Sequence, residues 1–340
     1  MTEPIALMGA PGSPYTRKML AVLRYRRIPY RFLTSAQASA EGMPNPRVAL
    51  LPTFYLPGAD GALEAVTDST PLIRRFEREV RGRSLVPPDP ALAVLDELIE
   101  DYGDEWLTKA MFHYRWAHDA DAGQAARILP LWRQYSITDE ALVERAEAIG
   151  ERQISRLYVV GSNETTGPVI EASYRRFLEA FEALLSHRPF VLGARPATAD
   201  FGLFGQLTQL ASFDPTPTRL TLETAPRVYA WTSLAEDLSG FEPPEGGWIS
   251  LANPQETLSV LLAEIGRTYV PVMLANARAV ASGASEVACE VDGLPWRQPP
   301  FPYQVKCVRW LRESRAALSE GDKSRLDLVL AGTGCETLFS

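Results

Sequence analysis

Apolar and polar positions over the first eighty residues change period several times. Residues 5–8 form a short apolar run. Residues 14–26 carry Met19, Leu20, Val22 and Leu23 at helical spacing, and residues 30–33 read as a second strand. A loop rich in Ala, Ser and Pro follows. Residues 53–56 and 63–66 then read as two short strands joined across Pro57-Gly58-Ala59-Asp60-Gly61, whose turn formers suit a hairpin. A helix is expected over about 69–79. The order strand-helix-strand, then strand-strand-helix, predicts a small mixed sheet with helices on its faces.

The breaker-rich segment GRSLVPPDP at 82–90 ends this pattern, and the chain turns helical. Residues 92–116 place Leu95, Leu98, Ile99, Tyr102 and Trp106 on one face; Tyr174, Phe177, Leu178, Phe181, Leu184 and Leu185 line another. No strand signal of comparable strength precedes residue 240. FEPPEGGW at 241–248 is a second break. A long helix is expected from Pro254 to about residue 281, then a β-hairpin turning on Asp292-Gly293. A last helix carries Val305, Val308, Trp310, Leu311 and Leu318. The expected organisation is therefore an α/β thioredoxin-like domain at 1–84, an all-helical domain at 90–248, and a mainly helical extension with a hairpin at 249–340, packed on the helical domain.

A length of 340 residues suits two domains with an appendage. The net charge of −8 and a pI near 5.2 give no support to phosphate neutralisation, so nucleic acid is not expected as a partner. The N-terminus lacks the features of a secretory signal or a transit peptide. No uninterrupted apolar stretch reaches the roughly 18 residues of a membrane span. A cytoplasmic protein without a membrane span is expected. The three cysteines, Cys289, Cys307 and Cys335, come late and without CxxC spacing, which predicts neither a disulfide framework nor a zinc site. His113, His118 and His187 cannot build a His-rich site without help from distant carboxylates, and no metal is expected.

The informative chemistry lies in Gly12-Ser13-Pro14-Tyr15-Thr16-Arg17-Lys18, directly after the first strand. Ser13 suits an N-cap and Pro14 the first helical position. Read plainly, this is a good helix cap. Read for chemistry, a helix start concentrates free N–H groups and positive dipole, and a serine hydroxyl there stabilises a ligand's thiolate. Leu51-Pro52 precedes the third strand, where a cis peptide is plausible and backbone is free to pair with an extended peptide. Asp68-Ser69 follows 16 residues after Pro52 and opens a helix, offering a carboxylate, a hydroxyl and helix N–H groups to a zwitterion. Neither GxGxxG nor a P-loop surrounds Gly9-Ala10-Pro11-Gly12, and no GxSxG elbow surrounds Ser13.

These segments resemble the glutathione transferase superfamily, in its order and spacing: a serine-type catalytic turn, a cis-proline before the third strand, and a γ-glutamyl-binding pair. Pro196-Ala197-Thr198-Ala199-Asp200 is similar to the family's buried helix-start motif, with Ala197 at the position of the capping Ser or Thr. The resemblance covers about residues 5–240. It implies a glutathione-dependent transferase with glutathione as co-substrate and a small hydrophobic or electrophilic second substrate. Ser13 and Tyr15 would be the catalytic residues; Pro14, Arg17, Leu51, Pro52, Asp68 and Ser69 would hold glutathione. A homodimer is implied as well. The catalytic turn has no cysteine, which disfavours a mixed-disulfide mechanism there. Leu50 stands where many members carry a lysine for the glycyl carboxylate, leaving Arg47 or Gln37 to substitute. Arg17 and Lys18 either add positive potential near the sulfur or face solvent. His113, His118, Tyr114, Arg115 and Trp116 line either the cleft or the core edge. The alternatives are a non-catalytic ligand-binding or protein-interaction module, and a reductase acting through Cys307 or Cys335.

Overall fold

The computed structural model describes residues 3–252 and 256–340, so the expected helix start at Pro254 lies outside the described residues. The first layer runs β1 (Ile5–Met8), α1 (Pro14–Tyr25), β2 (Tyr30–Leu33), α2 (Ser35–Ala40), β3 (Thr53–Pro57), β4 (Leu63–Val66) and α3 (Ser69–Glu79). The sheet order is β2-β1-β3-β4. β1 pairs parallel to β2 with Ile5 opposite Tyr30, and antiparallel to β3 with Leu7 opposite Phe54. Leu7, Val22, Phe54 and Phe76 are fully buried between the sheet and its helices. This is the expected thioredoxin-like arrangement, with one correction. The stretch read as loop after residue 33 begins with α2, held by a reciprocal cap in which Thr34 N donates to Gln37 Oε1 (2.9 Å) and Gln37 N to Thr34 Oγ1 (3.3 Å).

The helical part contains α4 (Pro90–Tyr102), α5 (Thr108–Ala117), α6 (Asp119–Leu131), α7 (Asp139–Ile154), α8 (Gly167–Leu185), α9 (Thr198–Leu210), α10 (Pro215–Thr224) and α11 (Pro226–Ala235). The single helix expected over 92–116 is α4 and α5 joined through a π-helical turn at Gly103–Leu107. α9 is buried along its whole length and carries α1 on its surface. Close approach there needs Gly205, because a Cβ at that position would lie 2.7 Å from the Pro14 carbonyl oxygen. The start of α9 is capped twice. Asp200 accepts from the backbone N–H of Ala197 and of Val191, both at 2.8 Å. Asp96 of α4 reaches across to accept from Ala199 N at 2.7 Å and from the Thr198 hydroxyl. That second carboxylate supplies what Ala197 lacks.

The extension consists of α12 (Glu256–Ser282), β5 (Val287–Val291), β6 (Leu294–Gln298), α13 (Pro302–Ala316) and α14 (Glu320–Leu330). The hairpin turns on Asp292 (φ 55°) and Gly293 (φ 76°), as expected for an Asp-Gly turn. Leu318 lies past the end of α13. α12 packs on α8, the hairpin and α13, while α13 and α14 lie against α4. Leu258–Ser282 is long and apolar enough by composition to cross a membrane, but 61% of its most apolar window is buried inside the fold, the place of a core helix.

Candidate functional site

Ser13 is the N-cap of α1, in an extended conformation, and its half-buried Oγ accepts from Thr16 N at 3.2 Å. The same hydroxyl is 3.4 Å from the Leu51 carbonyl, a long contact that costs little to exchange for a better acceptor. Pro14 occupies the first helical position, and no acidic side chain stands in the first turn to cancel the dipole there. The Leu51-Pro52 peptide is cis, as expected. Among the described residues the Leu51 N–H donates no hydrogen bond. The helical part grips the turn from the other side: Arg115 Nη1 donates to Gly12 O (3.0 Å) and Gln209 Nε2 to Pro11 O (3.1 Å). Arg115 is itself buried against Asp214, at 2.9 Å through both Nε and Nη2. It is a structural brace and does not line the cleft.

Asp68 immediately precedes α3 with φ 87° and ψ 111°, a backbone region that ordinary side chains avoid and that costs about 1–3 kcal/mol. Its carboxylate accepts from the Tyr303 hydroxyl of α13, with both oxygens at 2.9 Å. Burial raises the Asp68 pKa, opposed by that hydrogen bond and by Lys18. Ser69 is buried, and its hydroxyl lies 3.3 Å from Lys18 Nζ. Lys18 corrects the sequence-based expectation: it neither faces solvent nor reaches the Ser13 hydroxyl. It is fully buried, donating to Glu100 Oε1 (2.7 Å) and Asp104 Oδ2 (2.6 Å). Below it, Tyr269 donates to Asp101 and Gln304 Nε2 to Glu105 Oε2 (3.0 Å). Burial and mutual repulsion push the carboxyls of Asp101, Asp104 and Glu105 upward. A polar cluster thus joins α1, α3, α4 and α13 directly behind the Asp68-Ser69 pair.

The sequence-predicted residues therefore fall into two groups. Ser13, Pro14, Leu51, Pro52, Asp68 and Ser69 lie along one edge, at the start of α1, the start of β3 and the start of α3. Tyr15 and Arg17 turn elsewhere. The Tyr15 hydroxyl donates to the Asp104 carbonyl oxygen at 2.8 Å, and burial raises its pKa well above the ordinary phenol value. Arg17 pairs with Glu236, which also holds Arg24. Gln37 caps α2 through its side-chain oxygen, and Gln37, Arg47 and Leu50 are all exposed. Cys307 and Cys335 are buried, and burial drives both thiols upward, Cys335 to about 12, the opposite of a reactive thiolate. A cleft of about 480 Å³ opens between α2 and the α6–α7 pair, lined by Ser35, Ala36, Arg133, Arg145 and Arg152. The end of α6 also closes on the Ser13 turn, since a Cβ on Gly12 would lie 2.2 Å from Leu129 Cδ2.

A thioredoxin-like sheet joined to a helical bundle, with a hydroxyl-capped helix start facing the junction, defines the class. The chain belongs to the glutathione S-transferase superfamily: residues 7–84 match the glutathione S-transferase N-terminal domain and residues 140–232 the glutathione S-transferase C-terminal domain. Among solved structures, a GST-like protein from Pseudomonas syringae is 16% identical with a TM-score of 0.42, over 68% of this chain and 66% of that one. A glutathione transferase family member from Pseudomonas fluorescens Pf-5, solved with two glutathione molecules bound, is 17% identical with a TM-score of 0.42, over 71% of this chain and 94% of that one. A glutathione transferase from Burkholderia graminis, with two glutathione molecules bound per subunit, is 17% identical with a TM-score of 0.41, over 72% and 90%. No curated protein sequence matches the chain significantly.

Proposed function

We propose that this protein is a glutathione-dependent transferase in which Ser13 stabilises the glutathione thiolate for attack on a small electrophile. The observation that carries the proposal is the half-buried Ser13 hydroxyl at the positive end of α1, 3.4 Å from the carbonyl of Leu51, a residue whose N–H donates no hydrogen bond among the described residues. The cysteinyl unit pairs with that N–H, and the sulfur takes the Ser13 hydroxyl in place of the weak Leu51 carbonyl contact. The glutamyl end lies toward Asp68 and Ser69. Lowering a free thiol from about 8.5 by one to two units requires about 1.4 kcal/mol per unit, within the reach of one hydroxyl and a helix end. The electrophile enters from the cleft between α2 and the α6–α7 pair, whose arginines favour an anionic group on it. Domain limits of 1–84, 90–248 and 249–340, a cytoplasmic setting and a homodimer belong to the same proposal. Buried free Cys307 and Cys335 suit a reducing compartment, and light scattering reads the oligomeric state.

Titrating the ultraviolet absorbance of bound glutathione thiolate against pH, in wild type and Ser13→Ala, tests the proposal. The thiol pKa is expected to be depressed in wild type and restored by about one unit or more in the variant. Bound glutathione with an unshifted thiol pKa defeats the catalytic assignment; no binding defeats the ligand assignment too. One observation favours a second reading, a non-catalytic binding or interaction module: the extension already contacts the glutamyl-binding carboxylate through Tyr303. Glutathione binding without turnover, indifferent to Ser13→Ala, is the outcome that reading requires.

A further inference from the structure

His113, His118 and Glu171 come together at the junction of α5, α6 and α8, far along the chain from the Ser13 turn. His113 Nε2 lies 3.2 Å and His118 Nε2 3.0 Å from the same oxygen, Glu171 Oε1. All three ligand atoms are within 4.8 Å of one another. Ligands at 2.0–2.1 Å around a tetrahedral ion are separated by about 3.4 Å, so the spacing is that of a site needing only small side-chain adjustment. We propose that His113 Nε2, His118 Nε2 and Glu171 bind a divalent first-row metal ion of the zinc type, with the fourth position open to water.

The supporting shell is built for that role. His113 is buried, and its other nitrogen, Nδ1, lies 2.8 Å from Ser162 Oγ, which fixes the ring with Nε2 directed at Glu171. His118 is stacked on Tyr114, ring centroids 5.4 Å apart and planes 16° from parallel. Two imidazoles and one carboxylate with an open position is the donor set of many zinc enzymes, and it suits iron(II) as well. A bound ion here ties the α5–α6 junction to α8.

Isothermal titration of the full chain with zinc chloride, repeated with cobalt(II) chloride and read by visible absorbance, tests the site. The wild-type chain should take up about one ion with micromolar or tighter affinity and show the strong visible band of low-coordinate cobalt. His118→Ala and Glu171→Gln should abolish both signals. These side chains are 33% and 41% exposed, so the fold should tolerate the changes, and far-ultraviolet dichroism checks that it does. Ser162→Ala should weaken binding by about 10- to 100-fold while leaving all three ligands in place. Failure of the wild type to take up either ion overturns the site. So does unchanged uptake in folded His118→Ala and Glu171→Gln, which would assign the ion elsewhere.

Discussion

The hydroxyl of Tyr303 donates to both carboxylate oxygens of Asp68 at 2.9 Å, across 235 residues of sequence. It joins α13 of the extension to the carboxylate proposed to receive the ammonium of a γ-glutamyl group. Tyr303→Phe should therefore act in opposite directions on folding and on binding. The free protein loses a hydrogen bond to a charged group, worth about 1.5 kcal/mol at a half-buried site. A ligand ammonium then pairs with a carboxylate that has no competing donor, and glutathione affinity should rise by up to about tenfold, or 1.4 kcal/mol. Calorimetric titration and urea denaturation read the two effects. Weaker glutathione binding in Tyr303→Phe would instead make Tyr303 part of the binding site.

The edge formed by Ser13, Leu51-Pro52 and Asp68-Ser69 was legible because each signal is local: a cap followed by proline, a proline opening a strand, a polar pair opening a helix. The hairpin at Asp292-Gly293 was legible for the same reason. What escaped depends on partners remote in sequence. Asp96 caps α9 from 102 residues away, and Lys18 finds Glu100 and Asp104 on α4. Nothing near Lys18 in the sequence distinguishes it from a solvent-facing neighbour of Arg17. His113 and His118 are five apart and would sit on different faces of a continuous helix. The helix ends at Ala117, His118 turns to an extended conformation (φ −111°, ψ 126°), and its ring folds back toward Glu171. Helix α2 was within reach, because Thr34 and Gln37 carry the spacing of a capping box.

Stability should fall as pH rises through neutrality. Burial pushes Asp200 up to about 7 and Asp214 up to about 6, and raises Asp101, Asp104 and Glu105 in the same direction. Acids with raised folded pKa values bind protons more tightly in the folded chain. Their contribution is complete below about pH 4 and is lost as pH climbs through the folded values. Urea denaturation at about pH 5 and about pH 8 should show a loss of roughly 1–3 kcal/mol over that interval. Glu105→Gln removes one of these acids and should flatten the dependence. A stability that rises between the two pH values would contradict the buried, protonatable character of this cluster.

Lys18 is the cation set between Glu100 and Asp104, and its side chain has no solvent exposure. Replacing it by methionine keeps most of the volume and removes the charge, stranding two carboxylates in a desolvated place. Breaking one side of a buried pair costs about 3–5 kcal/mol. Part of that cost is recoverable, because a carboxyl with a raised pKa can take up a proton in place of the missing ammonium. Lys18→Met should accordingly be much more destabilising at about pH 8 than at about pH 5, and adding Asp104→Asn should narrow the gap between them. The same variant severs the contact from Lys18 Nζ to Ser69 Oγ, so glutathione binding should weaken even at the acidic pH where the fold survives. A loss under about 1 kcal/mol at both pH values would mean that water or a rearranged partner compensates the acids, and that Lys18 does not hold the sheet domain to α4.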